Sequence, residues 1–165
     1  MTTTALALPA PLWRRLVSFG YDGLLYLALL MAVYVLATPF VAALVARDAG
    51  TPLHNFAVLN ACGFLIGAGF FGWFWTHGGQ TLGMRVWRLR VRRLDGGPLR
   101  WPIAVIRFAA GLGPILLGLW LGKAFGASAY GAMLLGYLPC LLSSRGQAFN
   151  DLVAGTEVIE LPKVG

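Results

Sequence analysis

Four stretches of the chain are apolar for about the length that a membrane crossing requires. A hydrocarbon core of about 30 Å takes roughly 20 residues of helix. Runs of that size fall at 24–46, 55–76, 103–122 and 124–142. The first, second and fourth carry no charge, and the third is interrupted only by Arg107. Lys123 and its small neighbours join the last two, which predicts a tight helical hairpin. A three-span reading, with one of these two segments re-entrant, stays open. The run at 24–46 exceeds the roughly 7–15 apolar residues of a signal peptide, and Asp22 stands at its head, so it reads as an uncleaved first span.

Between and after the spans the period changes. In residues 84–94, Trp87, Leu89 and Val91 alternate with Arg88, Arg90 and Arg92, the period of a strand, and Asp95-Gly96-Gly97 then signals a turn. Residues 156–161 read as a second short strand, with Glu157 and Glu160 placed to neutralise some of the arginines. Pro102 suits the first turn of the third span. The expected fold is an all-α membrane protein, a bundle of about four transmembrane helices with a small cytoplasmic β element. It forms a single domain over 1–165, with 77–102 as its cytoplasmic loop.

Composition sharpens this picture. With 58% hydrophobic and 12% charged residues and a mean hydropathy of +0.73, the chain is excluded from the disordered class and is too apolar for an ordinary water-soluble globule. The net charge of +7 would suit nucleic acid or anionic lipid, but no nucleic-acid motif accompanies it. It serves instead as an orientation signal. Arg14, Arg15, Arg85, Arg88, Arg90, Arg92, Arg93, Arg100, Arg145 and Lys163 fall on one side, and only Arg47 and Lys123 on the other. Both termini are therefore expected in the cytoplasm. Trp13, Trp73, Trp75, Trp87 and Trp101 lie near that inner boundary, where aromatic rings favour headgroup depth. Arg88, Arg90 and Arg92 are the expected headgroup contacts, at about 1 kcal/mol per basic residue near an anionic surface.

Within the spans, glycines recur four apart at Gly63 and Gly67 and at Gly118, Gly122 and Gly126, a spacing that lets helix backbones approach closely. Pro39, Pro114 and Pro139 each remove a helical hydrogen bond. Cys62 and Cys140 read as small buried hydrophobes without a disulfide. His54 and His77 fall on opposite faces of the membrane, and no metal, P-loop or nucleophile spacing is present, so neither a metal nor a cofactor is expected and the chain does not read as an enzyme.

Ionisable groups at membrane depth need a reason. Arg107 lies about 7.5 Å into its helix past Pro102, and a guanidinium there costs about 3 kcal/mol or more unless it snorkels or meets a carboxylate. Asp22, at comparable depth, is the expected partner. If Pro11 opens a helix that runs into the first span, Arg15, Ser18, Phe19 and Asp22 share one face. A charged cluster of Arg15, Asp22 and Arg107 is then expected, with Asp151 as the carboxylate brought by the C-terminal segment.

Arg14-Arg15 followed by Asp22, the Gly79-Gln80-Thr81-Leu82-Gly83 loop, the basic strand ending in Asp95-Gly96-Gly97, Arg107, Arg145-Gly146-Gln147 and Asp151-Leu152-Val153-Ala154-Gly155-Thr156 together resemble the RDD family of bacterial membrane proteins. That family is named for an arginine and two aspartates, and the resemblance implies Arg15, or alternatively Arg14, as the arginine and Asp22 and Asp151 as the aspartates. Two positions depart from its pattern. Met84 stands where a Lys or Arg is usual, and Asn150 where a His is usual, which removes a titratable group. The resemblance implies a multi-pass protein of the bacterial cytoplasmic membrane, with ion or proton exchange suggested for some members. Two functions follow. One is a small cation- or proton-coupled transporter, or a component of one. The other is a non-catalytic factor that assembles or stabilises a partner protein. Expected partners are the bilayer and its anionic headgroups, with a second copy or a membrane protein left open and nucleic acid excluded.

Overall fold

A computed structural model of the chain describes residues 8–45 and 52–162, with side chains described for 8–39 and 58–162. Residue 46 of the first run, Arg47 and Lys163 of the charge count and the side chain of His54 lie outside these. The fold is mostly helical with one two-stranded sheet.

Helix α1 (Leu12–Val45) follows Pro11, as the shared-face argument requires. Its 34 residues span about 51 Å, more than a hydrocarbon core, so the turns carrying Arg14, Arg15 and Asp22 extend to the rim. Helix α2 (Pro52–Thr76) returns beside it: the Tyr26 hydroxyl donates to Gly63 O at 2.7 Å and that of Tyr34 to Leu59 O at 3.1 Å. Helix α4 (Trp101–Phe125) packs antiparallel on α2. A Cβ on Gly67 would lie 2.3 Å from the Phe108 ring, and one on Gly72 2.6 Å from the Trp101 ring. Glycine at these two positions is what permits the contact.

Three helices are long and apolar enough to cross a membrane, at Leu12–Pro39, Val58–Thr76 and Trp101–Phe125. Only 11% of the apolar window in the first is buried inside the protein, and 22% in each of the others, so their side chains face outward to lipid. The fourth expected pass differs in kind. It is a 3-10 helix (Ala127–Tyr137) continued by the short helix α5 (Leu138–Leu142). At about 2.0 Å per residue the 3-10 stretch covers about 22 Å, and α5 adds about 7.5 Å, so 16 residues reach nearly as far as 20 of α-helix. Pro139, which has no N–H to give Leu135, favours the change of helix type at this point. Close packing favours it too. The 3-10 helix runs antiparallel down α4, where a Cβ on Gly118 would lie 2.6 Å from Met133 N and one on Gly122 2.2 Å from the Tyr130 ring. The glycine spacing thus serves packing inside one chain.

The polar segments close one end of the bundle. Thr81 caps the short helix α3 (Leu82–Val86), accepting from Met84 N at 3.3 Å, so Met84 is helical and the alternating strand is shorter than its pattern. Strand β1 (Leu89–Arg93) pairs antiparallel with β2 (Thr156–Glu160), Val91 opposite Val158. Leu89, Val91 and Val158 are buried, and the paired acids meet the arginines: Arg92 with Glu157 at 2.7 Å, and Arg14 and Arg88 with Glu160. Residues 8–10 lie along the other edge of β2, with Ala10 N donating to Val158 O and Glu160 N to Leu8 O, both at 3.0 Å. The segment before α1 and the strand after helix α6 (Phe149–Ala154) therefore meet at the same end of the bundle.

Candidate functional site

At that closed end the usual distribution of side chains is inverted. Asp151 and Thr156 are fully buried, and Arg15, Ser18, Asp22, Thr81, Arg107 and Gln147 nearly so, while leucines of the spans stand exposed. The four charges arrive on three separate elements. The first turns of α1 present Arg15, Ser18 and Asp22 on one face. Helix α4 brings Arg107 from its second turn, and α6 carries Asp151 in its first turn.

Asp151 is held by four donors. Arg15 Nη2 binds Oδ2 and Arg107 Nη1 binds Oδ1. Ala148 N donates to Oδ2 at 3.0 Å, and the Thr156 hydroxyl to Oδ1 at 3.3 Å. Burial works to raise the carboxyl pKa. The Arg107 and Arg15 guanidiniums, with hydrogen bonds from Arg107 and Ala148 N, outweigh it and hold the pKa below the ordinary carboxylate value. The remaining reach of Arg15 goes to Gly146 O and to Cys140 Sγ, the latter at 3.0 Å. Arg107 also donates to Thr156 Oγ1, and its Cζ lies 5.0 Å from the centre of the Trp75 ring, a cation–π contact. Gln147 completes the shell by donating to Thr156 O at 2.8 Å.

Asp22 stands apart from this clasp. The expected pairing with Arg107 does not form; Arg107 Nη1 is turned to Asp151 and Thr156 instead. Asp22 instead accepts from the Thr81 hydroxyl on Oδ2 and from Gly83 N on Oδ1 at 2.8 Å. Among the described residues no cation lies within ion-pair distance of it. The Gly-Gln-Thr-Leu-Gly loop explains the geometry: Thr81 both caps α3 and donates to Asp22, while Gly83 lets α3 touch α1. A Cβ there would lie 2.6 Å from Ser18 O and 2.9 Å from Asp22 Oδ1.

The two halves share a cavity of about 90 Å³, enough for a few water molecules, which Arg15, Asp22, Thr81, Arg107, Asn150 and Trp75 help to line. Arg15, Arg107 and Asp151 sum to one positive charge, and ionised Asp22 brings the four groups to zero. Trp75, which reads as a boundary residue, is buried under Arg107 instead. Thr81, Thr156 and Gln147 were not singled out as site residues by sequence reasoning. The one signal that pointed to them was their place inside the quoted Gly-x-Thr-Leu-Gly and Arg-Gly-Gln motifs. Among the expected headgroup contacts, Arg90 is exposed, while Arg88 and Arg92 are half-buried in their pairs with Glu160 and Glu157.

The RDD family model matches residues 9–155, which contain every charged group of the clasp and its cavity. The chain belongs to the RDD family. Searches of curated proteins and of solved structures found no match. Of the residues that the resemblance implies as the family's arginine and aspartates, Arg15 and Asp151 form one ion pair, and Asp22 lies outside it.

Proposed function

We propose that this RDD protein is a small cation- or proton-coupled transporter, or a component of one, in the bacterial cytoplasmic membrane, with both chain ends in the cytoplasm. The observation that carries the reading is the division of labour between two buried aspartates. Asp151 is neutralised by two guanidiniums. Asp22 is buried on a cavity wall with neutral donors only. A carboxylate in a polar cavity at the membrane rim, held by hydroxyl and amide donors, can exchange a proton or a small cation while its partners stay in place. The arginine-rich strand and its anionic-headgroup contacts, chiefly Arg88, Arg90 and Arg92, hold this end at the inner leaflet. No catalytic role is assigned to any residue.

The test is flux in reconstituted vesicles under an imposed pH or cation gradient. Wild type is expected to dissipate the gradient, and Asp22→Asn to abolish flux while the protein stays folded and abundant, its melting temperature lowered by only a few degrees. An Asp22→Asn variant that still transports overturns the proposal. A second reading, a non-catalytic factor that assembles or stabilises a partner, draws support from the clasp itself, which ties α1, α4 and α6 together without needing a substrate. It predicts no flux in wild type, recovery of a partner protein on co-purification, and loss of that partner when the clasp is broken.

A further inference from the structure

The polar cavity does not end at the clasp. A second, larger cavity of about 380 Å³, within the range of small-molecule sites, continues from it along the membrane-spanning part of the bundle. The two share Arg107, Asn150, Phe19, Phe71 and Trp75 on their walls. Away from that junction the wall is apolar. Gly23, Leu27 and Leu30 of α1 face Leu112 and Ile115 of α4. From Arg107 to Ile115 is about 12 Å along α4, and from Gly23 to Leu30 about 10.5 Å along α1. The groove thus has a polar, cationic end at the rim and an apolar end at hydrocarbon depth.

Two groups at the polar end have unused bonding capacity. Arg107 is 5% exposed, and Nη1 makes all its hydrogen bonds; its Nε is buried with no partner. A buried guanidinium N–H without an acceptor is costly, and an acceptor in the groove would satisfy it once the Arg107 side chain turns to present it. The Asn150 carboxamide lines the same junction, and no hydrogen bond to it is formed among the described residues. The clasp of Arg15, Arg107 and Asp151 has an excess of one positive charge beside this end, and Asp22, which balances it when ionised, lines the polar cavity but not the groove.

We propose that the groove between α1 and α4 binds one acyl chain of an anionic membrane lipid, with its headgroup oxygens turned toward Arg107 and Asn150. The occupant follows from the chemistry at each end: hydrocarbon for the apolar wall, a negatively charged acceptor for the guanidinium. A void at this depth is in contact with lipid rather than water, so a chain from the bilayer is the filler at hand.

Gly23 gives a clean way to close the groove. A Cβ there meets nothing within 4 Å, and leucine is a better helix former than glycine. The experiment is native mass spectrometry of the purified full chain, reconstituted with phosphatidylglycerol or phosphatidylcholine of matched chains and then stripped with detergent. Wild type is expected to retain phosphatidylglycerol at least fivefold more than phosphatidylcholine, and Gly23→Leu to lose that retention. Leu30→Trp, which fills the groove from a different turn, is expected to do the same and serves if Gly23→Leu does not fold. Equal retention of the two lipids by wild type overturns the proposal. So does full retention by the folded groove-filling variants, and so does a loss of retention that follows joint neutralisation of Arg88, Arg90 and Arg92 but not closure of the groove.

Discussion

Asp151 and Asp22 are the same side chain, both buried at the same end of one bundle, and they are compensated in opposite ways. Asp151 has a guanidinium on each oxygen, and two further donors complete its shell. Asp22 has a hydroxyl and a backbone amide. The first arrangement is a lock: taking out one member strands a buried charge, the expensive outcome for any buried ion pair. The second is adjustable, because neutral donors of this kind lose less when the carboxylate changes its charge. A single rim therefore holds one carboxylate paired with guanidiniums and one held by neutral donors.

This contrast can be broken experimentally, and the largest effect belongs to the lock. Asp151→Asn should destabilise the protein by about 3–5 kcal/mol, read as a collapse of the melting temperature in detergent, since two buried guanidiniums lose the one anion they pair with among the described residues. A variant that melts like wild type would mean the clasp bears no load. The same pair has a pH signature. Asp151 has a depressed folded pKa, so its stabilisation is present above the unfolded value of 3.8 and is lost as pH falls below it through the folded value. Melting temperatures should accordingly show no pH dependence from this group between pH 5 and 8, where its contribution is full, and a decline in acid that Asp151→Asn no longer shows.

Gly83→Ala tests the contact beneath Asp22. Its methyl would meet Ser18 O and the carboxylate, so α3 must shift away from α1 at a cost of about 1–3 kcal/mol. If the proposal about Asp22 holds, transport should fall with it. Asp22→Asn keeps one acceptor oxygen for Gly83 N, turns its NH2 toward the Thr81 hydroxyl as a donor, and should cost about 1–2 kcal/mol. Equal destabilisation by Asp22→Asn and Asp151→Asn would erase the distinction between the two carboxylates. The smallest effect is expected at the sheet. Arg92→Gln removes a part-exposed pair with Glu157 and should change stability by no more than about 1 kcal/mol.

Much of this architecture is legible along the chain. Apolar runs of span length locate the three long helices, because hydrocarbon demands internally bonded backbone and outward apolar side chains over a length that can be counted. Alternation in the arginine-rich segment locates β1, and helical spacing puts Arg15, Ser18 and Asp22 on one face. What was not legible lies where several weak local preferences compete. The 127–142 segment is apolar enough to pass for an α-helix, but its small residues, Pro139 and the glycines of α4 across from it favour a narrower, longer-rising 3-10 path. Met84 and Val86 alternate like a strand, yet the Thr81 cap draws them into a turn of helix.

Composition and periodicity alone determined that this chain lies in a membrane, that few charges enter it, and that Arg15, Asp22, Arg107 and Asp151 are the ones needing partners. Which of them pair was decided only by the tertiary structure. Arg15 and Asp151 are 136 residues apart, and Arg107 and Asp151 are 44 apart. Those meetings depend on how α6 turns in after α5 and on where the Thr81 loop docks. Desolvation states that a buried charge must be compensated; the paths of the loops settle whether a guanidinium or a neutral donor does it.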